Sequence, residues 1–247
     1  MVQVTHSLAN TFGAVPPIEQ LSEGLPDSAR ETIGEALDFA LPLYGDKRLT
    51  SGELIVNHAL GMCLIAVALR LDRETRLAAI LFAVGDCIPE PFVAIEKRFG
   101  RQVVRLVEGL RRLNGLRVIS QTAELVNQAE VLRKMLLAMV EDIRVIMLRL
   151  ASRTQTLRFF TENANPDREA VARESMVLFA PLANRLGVWQ LKWELEDLSF
   201  RFLEPDTYRR IAKMLDERRV EREAFITQAV ERMRAELAAA GIQAEVY

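Results

Sequence analysis

Along most of this chain, hydrophobic residues recur at three-and-four spacing, the period of an α-helix with one face in a core. The first such run carries Ile33, Ala36, Leu37, Ala40 and Leu41. It follows Pro26, where Ser28 and Glu31 have the spacing of a capping box, and is expected to stop between Pro42 and Gly45. A polar loop at 45–52 leads to an apolar helix from Glu53 to about Leu71. Its richest stretch, Ala59 to Leu69, is about eleven residues long, right for a buried helix and too short to span a bilayer. Asp72 is expected to cap the next helix, through Leu77, Ile80, Leu81 and Val84, and the segment 85–91 to break it. Pro91 suits the first turn of a helix ending near Gly100. Helices are predicted at about 101–114, 120–138 and 141–162, the last with Ile143, Ile146, Met147 and Leu150 on one face. Asp167 is expected to cap a helix that Pro181 kinks or breaks. Helices at about 188–202, 206–216 and 218–240 follow, with Gly241 as C-cap.

This pattern predicts an all-α, multi-helix bundle, roughly two-thirds helix against about one-third in an average globular chain. Residues 242–247 alternate apolar and polar and read as a short strand. A lone strand cannot satisfy its backbone groups. The expectation is therefore that the chain is cut as a sheet-containing domain begins. The expected organisation is a flexible arm at 1–19, a helical domain at 20–200, a helical linker at 201–241 and the truncated start of a second domain at 242–247.

Composition bounds the chemistry. Half of the 247 residues are hydrophobic and 27% are charged, which excludes disorder over most of the chain. With 32 basic and 34 acidic residues the net charge is -2, so there is no overall electrostatic footprint for nucleic acid. Two cysteines exclude a disulfide scaffold or a Cys-rich zinc site and suit a reducing compartment. The N-terminus lacks the basic and apolar regions of a signal peptide, and no window suits a membrane span. The expected location is cytoplasmic, with no membrane partner. His6 and His58 are the only histidines, which limits any site built on clustered imidazoles.

The segment Arg48-Leu-Thr-Ser-Gly-Glu-Leu-Ile-Val-Asn-His58, followed by Leu81-Phe-Ala-Val-Gly-Asp86, resembles the layout of an HD-type metallophosphohydrolase. Longer strings sharpen this. The stretch Ala123–Met139, ending Leu-Arg-Lys-Met-Leu-Leu-Ala-Met, and the run Phe179-Ala-Pro-Leu-Ala-Asn-Arg-Leu-Gly-Val-Trp-Gln-Leu-Lys-Trp-Glu-Leu-Glu-Asp-Leu-Ser-Phe200 are similar to segments of the RelA/SpoT family. The resemblance covers roughly residues 20–247, and its wording is that of the RelA-type, mainly synthetic branch. In such hydrolase domains a histidine, a His-Asp pair and a later aspartate hold a divalent ion that activates water against ppGpp.

Residue by residue, the resemblance implies a degenerate site. His58 matches the first metal histidine. Phe82 and Ala83 stand where the His-Asp pair belongs, and Asp86 and Cys87 where a Glu-Asp pair would orient water and protonate the leaving group. Ser152 replaces the second metal-binding aspartate; Gln155 and Thr156 replace a His-Asn pair; Arg153 and Arg158 match. A hard cation needs several anionic or imidazole ligands, and phenylalanine coordinates nothing. The expectation is no catalytic residue, no metal, loss of the manganese site of active hydrolases, and a fold kept without its chemistry, with Phe82 filling the old cavity. His58 and Arg153 are then vestiges, His58 a hydrogen-bonded core or cleft residue, Asp86 a solvated loop residue, and Cys63 and Cys87 small buried thiols. Trp189 and Trp193, four apart on one helix face, are expected in the core, with an interface against another domain as the alternative.

What the resemblance implies for the parent protein is a ppGpp synthetase, moving pyrophosphate from ATP to the 3′-OH of GTP or GDP with magnesium. This chain is expected to be its regulatory, pseudo-hydrolase domain, with the synthetase domain of the same chain as partner and the ribosome reached through missing C-terminal domains. Two alternatives stand beside it: a residual metal-dependent ppGpp hydrolase using His58 and Asp86, and a module that binds guanine nucleotide without cleaving it. For the latter, Arg48, Arg101, Arg105 and Arg158 are candidate nucleotide or partner contacts, the middle two within a basic run from Lys97 to Arg117 whose plainer reading is a solvated face. Oligomerisation is left open.

Overall fold

The computed structural model describes residues 15–115 and 142–242. Its helices are α1 (Ile18–Leu21), α2 (Ser28–Tyr44), α3 (Ile55–Ala68), α4 (Arg73–Ile80), α5 (Pro91–Phe99), α6 (Arg101–Gly115), α7 (Ile143–Glu162), α8 (Arg168–Glu174), α9 (Ala180–Arg185), α10 (Trp189–Leu203) and α11 (Pro205–Ala239). A 3-10 turn, Val84–Asp86, follows α4, and a π-helical turn, Ser175–Phe179, joins α8 to α9. Among the described residues the fold is all-α, with one isolated bridge between Arg48 and Leu54 and no strand. The expected arm, the helix at 120–138 and nearly all of the terminal strand lie outside the described residues.

The chain falls into two compact units, divided between Leu203 and Glu204. The first is built around α3, which packs on α4 and α7, while α6 packs on the same two helices. Residues 58–66 of α3 are buried without a break, as their nearly unrelieved apolar sequence requires. The close approach of α3 to α7 depends on Gly61, because a Cβ there would lie 2.2 Å from Oε1 of Gln155. The turn after α4 is pinned by the buried Tyr44, whose hydroxyl donates to the Ile80 carbonyl at 2.7 Å and accepts from the Ala83 N–H at 3.3 Å. Burial, with Cys87 and Asp86 adding to it, raises the Tyr44 pKa against the lowering effect of the Ala83 and Val84 N–H groups, so this hydroxyl stays protonated. Arg76, also buried, donates to the carbonyls of Leu21, Glu23 and Leu71 and ties the segment after α1 to α4.

Several local expectations are corrected. Ser28 is not the cap of α2: Asp27 is, with no side-chain capping bond, and Ser28 is already helical. Asp167 is the N-cap residue of α8, as expected, but without a side-chain cap bond; the Asn165 amide oxygen accepts from the Asp167 N–H at 2.8 Å and shapes that entry. Asp72 does cap α4, accepting from the Thr75 N–H at 2.9 Å. Pro181 does not break the chain of helices. The wider π turn just before it gives room for a residue that cannot donate to the preceding turn. The two helices expected at 206–216 and 218–240 are one, since no Gly or Pro lies between them. Trp189 and Trp193 are not core residues: they are 51% and 55% exposed, their rings 6.5 Å apart on the outside of α10.

Candidate functional site

The site begins at a tight loop. The Arg48–Leu54 bridge, with the Leu49 N–H donating to the Glu53 carbonyl at 2.9 Å, brings the chain into α3 and turns the Glu53 side chain inward. Glu53 and His58 are both buried. Oε2 of Glu53 accepts from His58 Nδ1 at 2.7 Å, and Oε1 accepts from the Gln155 amide at 2.7 Å. The other ring nitrogen, Nε2, lies 2.9 Å from the Ser152 hydroxyl. With Nδ1 protonated toward the carboxylate, the hydroxyl donates to Nε2. Ser152 and Gln155 are three apart on α7, so they share the face turned to α3. Both carboxylate oxygens of Glu53 and both ring nitrogens of His58 therefore have a partner, as burial demands.

Phe82 sits over this network, its ring 5.3 Å from the His58 ring and 6.3 Å from Tyr44. Ala83 is buried and offers only its N–H, to Tyr44. Asp86 is out on the 3-10 turn, paired with Arg111 at 3.1 Å across an exposed gap. Cys87 is half-buried beside it, whereas Cys63 is fully buried in α3 and burial pushes its thiol up to about 12. The Thr156 hydroxyl is spent on the Ser152 carbonyl at 3.0 Å.

Phe82 does not fill the cleft. A cavity of about 300 Å³ remains, lined among others by Ser51, His58, Phe82, Asn114, Arg149, Ser152, Arg153 and Thr156. Two arginines reach it from successive turns of α7. Arg153 is buried and donates to Glu174 at 2.5 Å, and its guanidinium lies 4.5 Å from the Phe179 ring centre. Arg149 is half-buried, 5.2 Å from the same ring. Burial, with Arg153 adding repulsion and Glu174 partly offsetting it, brings the Arg149 pKa down to about 9; burial lowers Arg153 as well.

Of the arginines singled out from the sequence, Arg153 alone lines the cavity. Arg158 is held by Glu194 through two bonds of 2.5 and 2.9 Å, and Arg48 donates to the Gly52 carbonyl of its own loop. Arg101 and Arg105 are exposed on α6 and are not among the residues that line the cavity. Glu53, Glu174, Phe179 and Arg149 were not singled out. Glu53 stood five residues before His58 in the quoted segment, and Arg149 four before Arg153; the others carry no local sign of their role.

These residues do not fit a divalent metal. Nε2 of His58 is engaged by Ser152, the neighbouring positions 82 and 83 supply a phenyl ring and a methyl group, and among the described residues no three His, Cys, Asp or Glu side chains gather. The sequence Ser152–His58–Glu53 has the order of a hydrolytic relay. Ser152, however, is inside a helix whose N–H groups are already bonded, so no backbone donor stands beside it for an oxyanion.

Among known proteins, the chain matches the HD domain family over residues 36–189. It is 41% identical to a GTP pyrophosphokinase of Escherichia coli strain K12, a match covering 100% of this chain and 34% of that protein. It is 34% identical to a guanosine-3′,5′-bis(diphosphate) 3′-pyrophosphohydrolase of Aquifex aeolicus, over 93% of this chain and 32% of the relative. A bifunctional (p)ppGpp synthase/hydrolase, SpoT of Escherichia coli K12, is 34% identical over 90% of this chain and 31% of its own length. The chain thus spans about one third of the length of the curated relatives it matches.

Proposed function

From a chain that belongs to the HD domain family and is homologous to the RelA/SpoT enzymes of (p)ppGpp metabolism, we propose a domain that no longer hydrolyses ppGpp and instead regulates a (p)ppGpp synthetase. The observation that carries this is the bond between Ser152 and His58 Nε2. A side-chain hydrogen bond stands where the resemblance puts a metal–histidine bond, and it makes the same span between α3 and α7. The fold is kept by hydrogen bonding while the Lewis acid and the water it would activate have no ligands. His58 and Arg153 serve the fold; Phe82, Ala83, Asp86, Cys87, Ser152 and Thr156 do no chemistry. Neither manganese nor another cofactor belongs to this domain, and magnesium belongs to the synthetase.

The regulatory half of the reading rests on the GTP pyrophosphokinase relatives and on the exposed tryptophan pair of α10, an apolar surface suited to another domain of the same protein. The setting is cytoplasmic; no described helix is long and apolar enough to cross a membrane.

Two measurements test this. Incubation of the chain with ppGpp and manganese is expected to release no pyrophosphate; release that disappears in His58→Ala overturns the loss of hydrolysis. Deletion of residues 1–240 from the parent is expected to change its rate of synthesis or its response to ppGpp; an unchanged rate and response overturn regulation.

A further inference from the structure

The outer side of α5 and α6 carries charge that local helix physics does not favour. From Pro91 to Gly115 there are six bases and two acids, in a chain whose net charge is -2. The buried residues of α6 leave Arg101, Arg105, Glu108 and Arg112, at helical spacing, on one outer stripe of about 16 Å. Lys97 and Arg98 adjoin it from the last turn of α5. Lys97, Arg101, Arg105 and Arg112 are exposed and make no ion pair among the described residues. The dipole at the end of α5 favours Lys97 and Arg98. It opposes Arg101 and Arg105 at the start of α6, whose first turn has no acid, and these two, four apart, also repel each other. Elsewhere the chain sets an acid one turn from its surface cations: Asp206 for Arg209, Glu196 for Lys192, Glu236 for Arg232. A merely solvated face needs no such departure.

We propose that this face docks the phosphodiester backbone of a nucleic-acid duplex, without reading its bases, through Lys97, Arg98, Arg101, Arg105 and Arg112. Cations spread over two helices suit an extended polyanion better than a single small anion. Four of the five are arginines, whose planar forks match phosphate oxygens. The Arg98 guanidinium is laid over the Phe39 ring, 4.4 Å from its centre, which leaves it less freedom to lose on binding. Phe39 and Phe92 are half-buried beneath Arg98 and Arg111, so neither is free to stack on an unpaired base, as single-strand sites require. What remains is backbone contact, which fixes position and carries no sequence information. A bound phosphate also relieves the repulsion between Arg101 and Arg105. The proposal goes beyond the regulatory reading and does not rest on it, because binding is measured with no synthetase present.

The test is fluorescence anisotropy of a labelled duplex of about 20 base pairs titrated with the full chain, with DNA and RNA of two unrelated sequences as separate arms. All are expected to bind with similar affinity at about 50 mM salt and to weaken by roughly two orders of magnitude at about 200 mM, the slope of about four phosphate contacts. Arg101→Ala/Arg105→Ala should weaken binding about tenfold or more and lower the salt slope by about two. Arg209→Ala/Arg232→Ala, which removes the same charge from α11, should bind as the parent chain does. Folding is read from thermal melts: the Arg101/Arg105 variant should melt no lower than the parent, since it relieves repulsion at the start of α6. A clear drop would mean that these side chains hold the fold, and overturns their assignment to a partner. So does absence of saturable binding at roughly 100 µM chain, or an equal loss in the α11 variant. A preference of more than about tenfold for one sugar or sequence overturns backbone-only contact. Displacement by poly-glutamate as readily as by unlabelled duplex overturns the duplex in favour of an acidic protein.

Discussion

At His58 the two ring nitrogens are shared between a carboxylate on its own segment and a hydroxyl 94 positions away. Removing the imidazole strands the Glu53 carboxylate, fully buried, with only the Gln155 amide. His58→Ala is therefore expected to cost about 3 kcal/mol, read by urea unfolding, because the penalty falls on the charge left behind. Ser152→Ala removes a donor and leaves Nε2 beside the cavity, where water can reach it; about 1 kcal/mol is expected. A reversed order of the two costs would mean that Ser152, not Glu53, orients the ring. The cysteines offer a chemical contrast. With its thiol buried and pushed up to about 12, Cys63 should resist iodoacetamide at pH 8 in the folded protein, while half-buried Cys87 is alkylated. Labelling of Cys63 at native pH would place α3 nearer the surface than it is here.

At the scale of elements, the contact of α3 with α7 and the turn after α4 position the site. Gly61→Ala drives a methyl into the Gln155 amide that Glu53 needs, so the loss should exceed what helix propensity predicts, since alanine is otherwise the better helix former. A lower melting temperature for Gly61→Ala is expected, with the deficit shrinking when Gln155 is also cut to Ala. Tyr44→Phe should cost about 1–2 kcal/mol by denaturant unfolding, through two bonds to the turn that carries Phe82 and Ala83. Element boundaries were legible where a backbone rule acts alone: Asp72 as a cap, Pro91 at a helix start, Gly45 at a helix end. They were less so where two rules compete. The π turn before Pro181 and the entry to α8, shaped by Asn165 and not by an Asp167 side-chain bond, depend on which of two nearby solutions the surrounding packing accepts.

Across the whole molecule, the first unit encloses one continuous core, while the described residues of α11 are mostly exposed. A helix with so little burial holds its amides by local bonds alone. Hydrogen exchange of the full chain is expected to be fast along α11 and slowest in α3 and α7; equal protection would mean that α11 is covered in solution.

Helical period, the buried faces of α2, α3 and α7, and the poverty of metal ligands were all set by residue type and spacing, which are local properties. The phenyl ring at 82 and the methyl at 83 coordinate nothing in any fold. What only the tertiary structure decided is where charge and space meet. Arg48, Arg149, Arg153 and Arg158 are alike in sequence, yet one is spent on its own loop, one is held by Glu194, one keeps an idle buried Nε and one faces a cavity with no ion pair among the described residues. The partner of a long flexible cation comes from other elements, and no spacing along the chain says which of them will be within reach.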